Sequence, residues 1–165
     1  MPDKIEITVK VNDENVPLST LSDETIAKIK KEEKPLCEKG WHFHSNGGGE
    51  VQDTATVAET AFVDKNARVY GDARVYGNAR VYGEAKVYGN AWVYGDARVY
   101  GNAKVYGEAW VYGEAKVYGN AKVYGEAWVY GEAWVYGDAK VYGNARVYGD
   151  ARVYGEAKVE DGYIS

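Results

Sequence analysis

From Ala67 to Glu156 the chain sets small and apolar positions against polar and aromatic ones in a six-residue frame. The frame is Ala-x-Val-Tyr-Gly-(Asp, Asn or Glu), and it repeats fifteen times without a break. Alternation with period two predicts a short strand with Ala and Val on one side and x and Tyr on the other. Gly then supplies backbone freedom for a corner, and the Asp or Asn that often follows tolerates turn conformations. Each unit is a strand plus a bend. A lone unit cannot bury its Val, so units must coil and stack. Degenerate copies precede the run at Gly49-Glu50-Val51, Ala55-Thr56-Val57 and Ala61-Phe62-Val63. Another follows at Ala157-Lys158-Val159-Glu160-Asp161-Gly162, for nineteen hexads in all.

Residues 1–48 carry a different pattern. Residues 4–11 alternate as a strand, residues 12–15 read as a turn, and Val16-Pro17-Leu18 reads as a return strand or extended segment. Ser22 suits a helix N-cap, with Asp23 and Glu24 at the positive helix start. The helix is predicted to run to about Lys34 and to stop before Pro35. Residues 45–49, Ser-Asn-Gly-Gly-Gly, form a loop into the first coil. The chain thus divides into a small α+β module, residues 1–48, and a mostly β solenoid, residues 49–165. A solenoid bares a sheet edge at each end, so the module is expected to cap the first coil. At the other end Glu160 and Asp161 stand where Tyr and Gly recur, and are expected to discourage end-to-end stacking.

An aliphatic residue with a small residue two positions before it, every six residues, resembles the hexapeptide-repeat family. The Tyr-Gly-Asn-Ala flavour resembles repeat proteins of bacteria and phages. The resemblance implies a left-handed parallel β-helix with three hexads per coil. Nineteen hexads then make about six coils, roughly 30 Å long at ~4.8 Å per coil. It also implies acyl-transfer or carbonic anhydrase chemistry. The acyltransferases rely on a His base and on loops that interrupt the coils, and the carbonic anhydrases on three zinc-binding His. Here no loop interrupts the regular hexads and no His lies within them, while the chain has 2 His in total. No Ser or Thr within the regular repeats offers a nucleophile. The expectation is a fold without the activity: no catalytic residues, no cofactor and no metal site.

Under an 18-residue period the outward x residues sort onto three faces. The first carries Arg68, Lys86, Lys104, Lys122, Lys140 and Lys158. The second carries Arg74, Trp92, Trp110, Trp128 and Arg146, and the third Arg80, Arg98, Lys116, Trp134 and Arg152. Tyr lines every face, as with Tyr94, Tyr112 and Tyr130 on the second. Three Trp on consecutive coils, flanked by Tyr, predict a flat aromatic patch, and such patches mark interaction sites. Trp92, Trp110, Trp128, Trp134, Tyr94, Tyr112 and Tyr130 are therefore the candidate interface. Arg68, Lys86, Lys104, Lys122 and Lys140 form a basic face that would suit a phosphate backbone, with Tyr as a stacking surface.

Charge qualifies that second idea. The net charge is −5, yet it sits outside the repeats. Residues 67–159 hold 12 Lys/Arg and 10 Asp/Glu, so the solenoid is nearly neutral and lacks the bulk basic excess of a nucleic-acid binder. The corner column Asp96, Glu114, Glu132 and Asp150 is expected to be solvated or paired with neighbouring Lys or Arg rather than to hold a cation. Cys37, His42 and His44 do not follow a zinc-ligand spacing, so Trp41-His42-Phe43 is expected to pack under the first coil. A single Cys points to the cytoplasm, and neither a signal peptide nor a membrane span is visible. The expected role is non-enzymatic binding or scaffolding. The partner is a second copy, with a dimer ahead of a trimer, or another protein. The phage resemblance implies an inhibitor or adaptor. The alternatives are an acyltransferase-like enzyme and a nucleic-acid binder.

Overall fold

A computed structural model describes residues 8–11, 14–17, 22–24 and 38–165. The chain divides into two compact units, Met1–Leu36 and Cys37–Ser165. In the first, β1 (Thr8–Val11) pairs antiparallel with β2 (Glu14–Pro17). Two of the four residues read as a turn, Glu14 and Asn15, are therefore strand, because their register opposite Lys10 and Val11 extends the ladder. Asp23 and Glu24 are helical. The rest of the helix expected to Lys34 lies outside the described residues, as do residues 4–7 and Cys37.

The second unit is a β-solenoid. Each hexad from Ala67 onward gives one two-residue strand made of its x residue and its Val, from β7 (Arg68–Val69) to β22 (Lys158–Val159). Strands one coil apart pair in parallel at an 18-residue register: Lys86 lies beside Lys104, Trp92 beside Trp110, Arg98 beside Lys116. Three parallel sheets result, one per face. The degenerate hexads join them as β4 (Glu50–Gln52), β5 (Thr56–Val57) and β6 (Phe62–Val63), so all nineteen units are in place. The core is a bare column of Ala and Val. From Ala61 to Val147 the Ala and Val positions of every hexad are 0% exposed. With only these two residue types inside, a polar side chain at a Val position has no partner to satisfy it.

Both ends depart from the repeat. At the start, β3 (Trp41–Phe43) turns back and pairs antiparallel with β4, covering the edge of the first face. The connecting loop also binds the third face. Gly49 N–H donates to Val63 O at 2.8 Å, Val63 N–H to Asn46 O at 3.0 Å, and the Asn46 side-chain amide to Ala61 O at 3.1 Å. Residues 38–49 thus seal part of the first coil by themselves. Trp41 tilts against Tyr70 at 6.0 Å, while His42 is exposed. At the other end a twentieth strand, β23 (Tyr163–Ile164), pairs with β20 (Arg146–Val147) at a 17-residue register. Glu160-Asp161 makes a corner one residue shorter than Tyr-Gly-Asx. Gly162 therefore takes the place an Ala fills elsewhere, and its carbonyl accepts from Arg146 N–H.

Candidate binding surface

Outward side chains repeat at the coil spacing, so identical neighbours are forced into ladders. On the first face Tyr70, Tyr88, Tyr106, Tyr124 and Tyr142 stack with centroids 4.7–5.0 Å apart, their planes nearly parallel. Tyr94, Tyr112, Tyr130 and Tyr148 do the same on the second face, and Tyr82 through Tyr154 on the third. Packing against neighbours strips water from these phenols. Burial is the first cause that raises the Tyr88, Tyr100 and Tyr112 hydroxyls above the ordinary phenol value, and the next tyrosines in the ladder raise them further.

The second face adds a tryptophan ladder. Trp92 stacks on Trp110 at 5.0 Å, and Trp110 on Trp128 at 5.3 Å. Arg74 closes one end, 4.7 Å over Trp92, and Arg146 the other, 4.7 Å over Trp128 and 5.6 Å over Tyr163. Cation–π contacts of this kind contribute roughly 0.5–1 kcal/mol each at exposed sites. Tyr94 meets the edge of Trp110, and Tyr112 the edge of Trp128, at 6.1 and 6.3 Å. Trp92, Trp110, Trp128, Tyr94, Tyr112 and Tyr130 are thus one interlocked body.

This corrects the expected flat patch. The rings stand on edge, each face covered by the next ring or, at the two ends, by Arg74 or Arg146, and all three indoles are half-buried. A partner meets a corrugated row of ring edges rather than open ring faces. Trp134 does not join them. It sits on the third face between Lys116, 4.3 Å from its ring, and Arg152, 5.1 Å away. Arg74, Arg146 and Tyr163 belong to the ladder although only ring content marked it in the sequence. The two arginines were visible at the 18-residue register, whereas the shortened corner hid Tyr163.

The basic face forms as expected, with Arg68, Lys86, Lys104, Lys122 and Lys140 in one parallel register. Arg68 is paired with Glu50 at 2.6 Å. The lysines are not: among the described residues Arg68–Glu50 is the ion pair of a Lys or Arg side chain. Of the two expectations for the corner column, solvation is what the structure has: Asp96, Glu114, Glu132 and Asp150 are exposed, and Asp96 accepts from the Asn78 amide at 3.2 Å. The tyrosines beside the lysines have ring neighbours on their faces, which leaves no open face for a base within the ladder. His42 Nδ1 lies 2.9 Å from Asp53 and His44 Nε2 2.9 Å from Ala61 O, so the two imidazoles serve the cap. No three His, Cys, Asp or Glu side chains converge as metal ligands among the described residues. No helix among them is long and apolar enough to cross a membrane.

Residues 67–83, 97–113, 139–155 and 145–160 match the family model described as YdcK Beta solenoid repeat. The matched stretches are all regular hexads, and they agree with the stacked parallel strands. The chain is a β-solenoid repeat protein. No curated protein and no solved structure gives a match.

Proposed function

We propose that the solenoid is a non-enzymatic binding scaffold that associates through its second face, first of all with a copy of itself. The order of the outward column carries the reading. Arg74, Trp92, Trp110, Trp128 and Arg146 read the same in both directions about Trp110, and the Tyr column Tyr76 to Tyr148 does too. A two-fold axis through Trp110 sets each residue against its own kind or its symmetry mate, as an isologous interface requires. Corrugation adds a second argument. Rows of ring edges about 5 Å apart stay in step along their length only with a surface of the same period, and a second copy has that period. A rigid sheet also loses little entropy on docking. A dimer is favoured over a trimer because the palindrome is two-fold.

The same face suits another protein with an exposed sheet of that spacing, which supports an adaptor or inhibitor role of the kind phages encode. The single Cys supports a cytoplasmic setting. Sedimentation equilibrium of wild type and the triple variant W92K/W110K/W128K tests the reading. The x positions point outward, so the variant keeps the fold and copies the lysine column of the first face. The dimer is expected to dissociate, by at least a hundredfold in Kd, at about 1–3 kcal/mol per truncated aromatic anchor. A wild type that is monomeric at high micromolar concentration, or a variant that stays dimeric, overturns it.

A further inference from the structure

The six arginines of the chain all lie on the solenoid, and four have partners. Arg68 pairs with Glu50, Arg74 lies over Trp92, Arg146 over Trp128, and Arg152 over Trp134. Arg80 and Arg98 are the exceptions among the described residues: neither forms an ion pair with a carboxylate or lies over a ring, although Arg98 is near enough to the Tyr100 hydroxyl to act on it. They are also neighbours, in register on adjacent strands of the third face, hence about 4.8 Å apart at the backbone. Both line an open groove of about 690 Å³ beside the N-terminal cap. Two exposed guanidiniums at one strand spacing repel each other, and neither is held in an ion pair by a carboxylate of the described chain.

The groove has three further features. Tyr82 is the first ring of its ladder. Tyr100 covers one face, and among the described residues no ring covers the other; Tyr82 and Phe62 both line the groove. Asp64 and Asp96 line the groove too, each already accepting one hydrogen bond, from Gly83 N–H and from the Asn78 amide. Each retains acceptor capacity for a donor, and each would repel an anion brought close to it.

We propose that this groove binds a small phosphate monoester whose organic part carries hydroxyl groups. One carboxylate is satisfied by a single guanidinium fork. Two forks a strand apart match instead the several oxygens that a tetrahedral phosphate presents on different sides. Asp64 and Asp96 accept from hydroxyls on the organic part, and the free face of Tyr82 packs against its carbon skeleton. The volume far exceeds that of phosphate alone and lies in the range of small-molecule sites.

Calorimetric titration with glycerol 2-phosphate, inorganic phosphate and glycerol at low ionic strength tests the assignment. Glycerol 2-phosphate is expected to bind more tightly than inorganic phosphate, and glycerol not at all. R80Q and R98Q are each expected to weaken binding about tenfold or more. K122Q, on a different face, leaves it unchanged. R80K/R98K keeps both charges and the outward packing but loses the forks, and is also expected to bind more weakly. Absence of binding by glycerol 2-phosphate overturns the proposal. So does a loss in K122Q equal to that in R80Q, or wild-type affinity in R80K/R98K, since either outcome reduces the site to diffuse charge.

Discussion

At the residue scale the solenoid rests on its corner glycines. Gly113 adopts φ 70°, the left-handed region that strains any residue with a Cβ. Its column adds a second constraint, because a Cβ there would lie 3.1 Å from Gly131 N in the next coil. Gly155, at φ 63°, has the same conformation but nothing within 4 Å of the Cβ site. Gly155→Ala is therefore expected to cost about 1–2 kcal/mol for the left-handed backbone alone. Gly113→Ala carries that cost plus about 1–3 kcal/mol for a contact that rigid backbone cannot relieve. Thermal melts of the two variants check the order, and equal melting temperatures would refute the stacking constraint. The conformational need was readable from the turn position of Gly. The close approach was not, since it depends on which residue the coil places above.

At the element scale each face is a pair of ladders, and their geometry follows from strand spacing. Rings held about 4.8 Å apart have little choice but to stack. That is why Tyr70, Tyr88, Tyr94, Tyr100, Tyr106, Tyr112 and Tyr118 all have hydroxyls raised by burial. The sign of the pH effect follows. A phenol whose folded value lies above its unfolded value of about 10 contributes no penalty while both states are protonated. Above pH 10 the unfolded chain ionises first, binds fewer protons than the folded one, and gains stability relative to it. The melting temperature is expected to fall steeply as pH climbs past about 10. Ultraviolet titration should show native phenols ionising at higher pH than in the urea-unfolded chain, and coincident curves would refute the ladder environment. The hexad itself revealed strand, corner, core and face. It did not reveal ring orientation, because alternation states which side a ring occupies and not how neighbouring rings meet. The ends were the least legible: β3 needed the antiparallel return through Gly47-Gly48-Gly49, and β23 needed a corner one residue short.

At the scale of the whole molecule the solenoid is a short rod whose faces differ in chemistry while sharing one backbone. Lysines occupy the first face, the arginine-capped indoles the second, and the Arg80–Arg98 groove and Trp134 the third. The uniform core makes the faces independent, since an x residue can change without disturbing Ala or Val beneath it. Trp134 then serves as an internal control for the second face, being the same residue type in the same repeat position but held between two cations. Hydroxyl-radical footprinting across a concentration series, read by mass spectrometry, tests the assembly surface most directly. As the protein passes from monomer to assembly, Trp92, Trp110 and Trp128 are expected to become protected while Trp134 reacts at a constant rate. Equal protection of all four, or protection of Trp134 with the other three unchanged, would contradict the account.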